Sequence, residues 1–328
     1  MRSLTRRDFG RLGLAGLAPF AMQPPASRRY AYIHLDVFTD RAFAGNQLLV
    51  FPQPQGLDVD TMHTLTRESN YSECTFVFPS EAPTTSVRVR IFTRNGETPF
   101  AGHPTIGTAF ALAHSGAVKA GTPRTLFGLG VGPTPIDLEW DGARLKFAWM
   151  TQLNPTFGKT LPDSAALAAA LGLDVGALAT ERAPAQEVHT GSTFVIVPLV
   201  SRKAVDQAAL DRAKTDALFA AAGVQRRGIY VFSTERASDD AVAYTRLLGG
   251  SSGIEDPATG SAAGPAGSFM VKHGFVPVAA ARSIVILQGV LVRRPSRIHV
   301  NIGTSGSDIT SVKVGGTSVI VGDGNVTI

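Results

Sequence analysis

The sequence predicts an α+β chain folded as two pseudo-symmetric lobes. Three observations carry this expectation. The chain has 328 residues, enough for two cores of ordinary size. Its apolar runs are mostly short and strand-like, set off by Gly, Pro and Asn, with a few helical stretches between them. One loop-to-helix junction also occurs twice, about half the body apart. The first copy reads His103-Pro104-Thr105-Ile106-Gly107-Thr108-Ala109 and the second Asp256-Pro257-Ala258-Thr259-Gly260-Ser261-Ala262. Both follow one pattern: an ionisable residue, Pro, two variable residues, Gly, a hydroxyl residue and Ala. Each helical stretch ends near a glycine, Gly116 or Gly274. Two copies are too few for a solenoid. They point to a duplication, with lobes over 30–150 and 151–328 related by a pseudo-twofold axis and a last strand free to return to the first lobe.

Taken in order, Tyr30 to Phe38 is rich in β-branched and aromatic residues and reads as a strand. Gly45-Asn46 marks a turn into a second strand, Gln47 to Phe51. Asp58 or Asp60 can cap a helix running to about Glu68. Strands follow at Cys74–Phe78 and Val87–Phe92, then a Gly-containing loop and a helix from about Pro104 to Ser115. Strands near 134–140 and 144–150 complete the first half. The second half predicts helices near 164–171 and 204–222, and strands near 193–199, 228–233 and 241–248. A second loop-to-helix junction opens at Asp256, and the tail reads as short strands broken by Gly.

Charge and composition narrow the function. Apolar residues make up 44% and charged residues 17%, with no uncharged apolar run long enough to span a bilayer. The net charge of +5 resides wholly in residues 1–29, which carry six arginines and the single acid Asp8. The body is neutral, so nucleic acid is not an expected partner. The one cysteine, Cys74, rules out an internal disulfide. Seven scattered histidines show no metal-ligand spacing, so no metal is expected.

Residues 1–29 read as an export signal. Thr5-Arg6-Arg7-Asp8-Phe9-Gly10-Arg11 follows the twin-arginine pattern, and a mildly apolar Leu12–Met22 stretch and a small-residue, Pro-rich segment come next. The expected location is therefore periplasmic, with no membrane association after processing. Without such a signal it would be cytoplasmic.

The paired junctions look like a binding site. Pro is favoured in a first helical turn. Such placement puts His103 and Asp256 at the mouths of two helices, where free N–H groups and the helix dipole attract anions. Gly107 and Gly260 would let a ligand approach the backbone, and Thr108 and Ser261 would add hydroxyls. Two facing helix ends could hold a substrate carboxylate. The plainer alternative is two ordinary helix caps. Proton transfer also needs an acid or base, and Glu73 stands where a loop enters an apolar strand; buried there, its pKa would rise. The sequence equally allows a surface glutamate. Gly249-Gly250-Ser251-Ser252-Gly253 matches a nucleophile elbow, but Ile254-Glu255-Asp256-Pro257 follows in place of a helix. Gly128-Leu129-Gly130-Val131-Gly132 is followed by Pro133 and a strand-like run, so it reads as a turn and not a dinucleotide loop.

Five stretches, in order from residue 30 to about 300, resemble the PhzF-like isomerases of the diaminopimelate epimerase fold. They are Asp36-Val37-Phe38-Thr39 with Gly45-Asn46, Arg67 to Val77, Arg90 to Pro104, Glu255 to Gly264, and Ile286 to Val290 with Arg294-Pro295-Ser296. The resemblance implies β-barrel-like lobes, each around a central helix, with a cleft between them. It also implies a homodimer, no cofactor, and an isomerisation of trans-2,3-dihydro-3-hydroxyanthranilate or another small cyclic carboxylate. Carried over by position, Glu73 becomes the proton shuttle and His103 and Asp256 its polar partners. Ser72, Gly102, Gly260 and Ser261 become substrate contacts. The related two-thiol epimerases have cysteines at the helix mouths, which this chain lacks. Gln47 and Arg94 stand where the family often has Pro, and Leu247-Leu248-Gly249-Gly250 replaces a segment usually bearing Phe and Pro. An exported binding protein that keeps the pocket without the chemistry is the competing reading.

Overall fold

A computed structural model describes residues 27–250 and 255–328. The proposed export signal, up to residue 26, and most of the elbow-like stretch lie outside the described residues.

Strand β1 (Arg29–Val37) turns back into β2 (Asn46–Phe51), antiparallel to it. The reversal needs Gly45, whose φ is 67° and where a Cβ would stand 2.3 Å from the Val37 carbonyl oxygen. Helix α1 (Val59–Ser69) begins at Asp58, whose carboxylate accepts the Thr61 N–H at 2.7 Å, and stops at Asn70 in the left-handed region. Then come β3 (Glu73–Pro79), β4 (Val87–Thr93), β5 (Gly96–Thr98), α2 (Gly102–His114), β6 (Arg124–Leu129), β7 (Gly132–Asp141) and β8 (Arg144–Gln152). The glycine run at 128–132 is the turn of the β6–β7 hairpin, where Leu129 faces Gly132.

The second half holds β9 (Thr156–Leu161), α3 (Ser164–Ala170), β10 (Ala185–His189), β11 (Thr193–Pro198), α4 (Arg202–Gln207), α5 (Arg212–Ala222), β12 (Ile229–Ser233) and β13 (Ala243–Leu248). It closes with α6 (Gly260–Lys272), β14 (Ile284–Gln288), β15 (Ser296–Ser305), β16 (Asp308–Gly316) and β17 (Ser318–Thr327). The single helix expected over 204–222 is two, because Asp211 caps a fresh start by accepting the Lys214 N–H at 3.1 Å. Pro257, expected in the first helical turn after Asp256, lies before its helix, which starts at Gly260. The tail fits short strands broken by glycine only at β14, which has five residues and ends before Gly289. Its last three strands run nine or ten residues, and glycines also lie inside them. A Cβ at Gly315 would lie 2.5 Å from the Ala148 carbonyl oxygen, so glycine there lets strands and side chains crowd together.

Among the described residues the strands form one mixed ladder. From β17 it runs through β1, β2, β3, β4, β6, β7 and β8. It continues through β16, β15, β14, β13, β12, β11 and β10 to β9, with β5 as a branch on β4. Helix α2 packs against β1, β2 and β8, and α6 against β11, β15 and β16. Both helices are buried on all sides, which their Ala- and Gly-rich sequences allow. Full burial of a side chain such as Ile106 stabilises by about 1.5–3 kcal/mol. The two helices meet end to end. A Cβ at Gly102 would sit 2.5 Å from the backbone of Gly260.

Candidate active site

The helix ends meet at a cavity of about 580 Å³. Its wall includes Ala101 and Thr259, the residues just before α2 and α6, together with Ser72, Glu73, Asp256 and Ser261. Neither Ala101 nor Thr259 caps its helix with a side chain. The first-turn N–H groups thus keep their dipole facing the cavity, as an anion site requires.

Glu73 is the first residue of β3, pinned between β2 and β4. Cys74, the next residue, points to the opposite face among Phe51, Phe76 and Phe92, so alternation alone turns Glu73 toward the cavity. Burial pushes the Cys74 thiol up to about 11 and keeps it protonated. Glu73 Oε2 is buried, lies 3.5 Å from His103 Nε2, and has no hydrogen-bond partner in the protein. His103 Nε2 has none either. Burial raises the Glu73 pKa to about 8; the nearby Asp256 charge adds to this and the Ser72 hydroxyl partly offsets it. Burial lowers His103 to about 3, so the ring is neutral. Asp256 is raised to about 6, again chiefly by burial, against hydrogen bonds from Thr259, Asn46 and Ser72.

Asn46, read from sequence as part of a turn and of a family-like stretch but not as a site residue, is the hub of this group. Its Nδ2 lies 2.6 Å from Asp256 Oδ1, 2.9 Å from the Ala258 carbonyl and 3.1 Å from His103 Nδ1. Two of these neighbours are oxygen acceptors, which fixes the amide orientation with nitrogen toward them. The two amide hydrogens go to these oxygens, so His103 Nδ1 packs against the same nitrogen without fixing the ring tautomer, and a hydrogen bond with the Gln47 backbone also holds the ring. Asn46 Oδ1 accepts from Ser72 Oγ at 3.1 Å. Thr259 Oγ1 donates to Asp256 Oδ2 at 2.7 Å, and Gln288 holds the loop by donating to the Asp256 carbonyl at 2.8 Å and accepting the Thr259 N–H at 3.0 Å. The turn before Asn46 is clamped from far along the chain. Arg294 pairs with the buried Asp36 carboxylate and donates to the Gly45 carbonyl at 2.8 Å. No local periodicity signals Asn46, Gln288 or Arg294, because their partners are remote in sequence.

The structure brings Glu73, His103, Asp256, Ser72 and Ser261 together around the cavity and its back wall. It does not bring Gly107 or Thr108 there. A Cβ at Gly107 would meet Leu48 and Val37 side chains at 2.5 and 2.7 Å, and Thr108 is fully buried, bonded to Pro104 and Thr75. Both lie more than a helical turn inside α2, in the core. Gly102 and Gly260 are needed first for contact between the helices. Among the described residues, no group of three or more His, Cys, Asp or Glu could hold a metal, and no helix is long and apolar enough to cross a membrane.

The chain is similar to known proteins over most of its length. A family model described as phenazine biosynthesis-like protein matches residues 35–324. An uncharacterized isomerase of Mesorhizobium japonicum is 33% identical over 308 residues, covering 90% of this chain and 98% of the relative. The trans-2,3-dihydro-3-hydroxyanthranilate isomerase of Pseudomonas aeruginosa is 31% identical over 303 residues, covering 90% and 98%. A Bacillus anthracis phenazine biosynthesis protein of the PhzF family superposes with a TM-score of 0.80 at 23% identity, covering 92% of this chain and all of that one, which bears on the fold. With its acid, its neutral histidine and its paired helix ends in place, the chain belongs to the phenazine biosynthesis-like, or PhzF, family of isomerases.

Proposed function

We propose that Glu73 moves a proton between two positions of a small carboxylate-bearing substrate such as trans-2,3-dihydro-3-hydroxyanthranilate. The observation that carries this is the buried Glu73 Oε2 facing His103 Nε2 at 3.5 Å, both without protein partners, at the edge of a cavity. As a carboxylate, Glu73 takes a proton from an activated carbon; as the acid, it returns it elsewhere in the conjugated system. A raised pKa near working pH suits both steps. The helix ends hold the substrate carboxylate and the charge that develops beside it. His103, kept neutral by burial, presents Nε2 to Glu73 and the substrate. In this reading the ladder forms two barrel-like lobes, one around α2 and one around α6.

Glu73→Gln keeps the shape and removes the base. Turnover should fall by roughly 10²–10⁴-fold while substrate still binds. Solvent deuterium in the wild-type product would mark a shuttle open to exchange. A fully active variant would falsify the assignment.

Leu247, Gly249 and Gly250 line the cavity, and this favours a different small acid as the second reading. We further propose export by the twin-arginine route, on the strength of Arg6-Arg7 and Phe9. Lys at both arginines should hold a longer precursor in the cytoplasm; mature protein still reaching the periplasm would refute the route. A homodimer belongs to the same reading, and a monomer in sedimentation velocity would overturn it.

A further inference from the structure

We infer that the substrate carries a second anionic group, carboxylate or phosphate, bound at the far end of the cavity by Arg212 and Arg227. This rests on the reading above, in which the first carboxylate sits at the helix ends, and it favours the different small acid of its second reading over trans-2,3-dihydro-3-hydroxyanthranilate, which has a single carboxylate.

The cavity is not closed around Glu73. It extends to a wall made by the start of α5 and the loop before β12, where Arg212, Arg226 and Arg227 all line it. Among the described residues that line the cavity, Asp216 is the one carboxylate ion-paired with them, 3.4 Å from Arg226 Nε. Arg212 is exposed, and among the described residues it makes no ion pair or side-chain hydrogen bond. Arg227 donates from Nη2 to Gln225 Oε1 at 2.8 Å, yet its Nε is buried and has no acceptor in the protein. Three guanidinium groups against one carboxylate leave an excess of positive charge at this wall. Guanidinium forks match carboxylate and phosphate oxygens in geometry as well as charge.

Leu210, Leu247, Phe100 and Phe194 add apolar surface to the same wall, beside hydroxyl residues such as Thr98 and Ser192. The site therefore combines two charged regions with apolar surface. That pattern fits an acid whose body lies against the leucines and aromatic rings, with an anionic group at each end. A single-ring monocarboxylate bound at the helix ends would leave the arginines without a partner.

Binding by calorimetry tests this with three probes: benzoate, 4-(2-carboxyethyl)benzoate and 4-(phosphonomethyl)benzoate. Wild-type protein should bind at least one of the two dianions about tenfold or more tightly than benzoate, and which one is preferred tells carboxylate from phosphate. The double variant Arg212→Ala, Arg227→Ala should lose that preference and still bind benzoate within about twofold of wild type. Retained benzoate affinity also reports that the variant is folded. Equal wild-type affinity for all three probes would overturn the arginine subsite while leaving the helix-end site standing. A preference that survives the double substitution would overturn the assignment to these residues. An equal loss for all probes would mean general electrostatic attraction, and would overturn it too. Absence of any benzoate binding by wild type would remove the helix-end anchor and this inference with it, whereas a fully active Glu73→Gln variant would fail the chemistry alone.

Discussion

The two copies of the repeated junction have the same residue pattern in the same order, yet they are built differently. In the first, Gly102, His103 and Pro104 are the opening turn of α2. In the second, Asp256 and Pro257 stand clear of α6, which begins only at Gly260. The motif glycine at 107 is deep in a helix against Leu48 and Val37, whereas its counterpart at 260 is the helix's first residue, against Phe38 and Gly102. The hydroxyls diverge likewise: Thr108 is in the core and Ser261 lines the cavity. A helix starts where its first turn finds partners. In the second copy, Gln288 takes the Thr259 N–H and Asp256 takes the Thr259 hydroxyl, which stabilises a turn in place of an earlier helical start. A duplicated motif can thus preserve the meeting point of two helices while freeing each copy to present a different group there.

Glycine substitutions test this difference most severely. Gly102→Ala places a methyl group 2.5 Å from the Gly260 backbone, which cannot yield as a side chain can. Its stability loss should reach or exceed the ~3 kcal/mol top of the usual overpacking range, and activity should fall because His103 moves with the helix end. Gly107→Ala meets only side-chain ends. Its overpacking cost of about 1–3 kcal/mol is offset by the ~1 kcal/mol helix preference of Ala over Gly. Activity per folded molecule should be unchanged. Urea unfolding and turnover assays on both variants decide the matter; loss of activity in folded Gly107→Ala would return that residue to the site.

A smaller effect is the opposite pH response of the two sides. Glu73 has its folded pKa raised, so the folded state holds the extra proton. Its contribution to stability is full below about 4.5 and is lost as pH rises toward about 8. His103 has its folded pKa lowered, to about 3, so the unfolded chain takes up the proton and stability is lost as pH falls from 6.5 toward that value. Melting of wild type against Glu73→Gln should therefore diverge on the alkaline side, with wild type less stable, by about 2–4 °C for each kcal/mol. His103→Asn should lose part of the acid-side decline. Parallel pH curves for wild type and Glu73→Gln would mean that Glu73 is not held in its acid form by burial.

Much of the site is legible in the order of residues alone. Glu73 stands out as an acid entering an apolar strand, and His103 and Asp256 as ionisable residues before Pro in a repeated pattern. Gly107 and Thr108 are misplaced by the assumption that equal motifs have equal helix starts. Asn46 is legible as a turn residue in a family-like stretch and not as a hub, although it packs on His103 and joins Asp256 to Ser72.

Local chemistry along the chain is enough to specify most strands, the cap of α1 at Asp58, the turn at Gly45 and the order of the chemical groups. These depend on alternation, backbone sterics and side chains reaching a few residues away. Packing alone settles where α6 begins, which glycines serve helix contact, that Asn46 is a hub and that Arg294 clamps its turn from the other end of the chain. Those outcomes depend on bonds between residues far apart in sequence, and neither periodicity nor local propensity records which distant partner a buried polar group will meet.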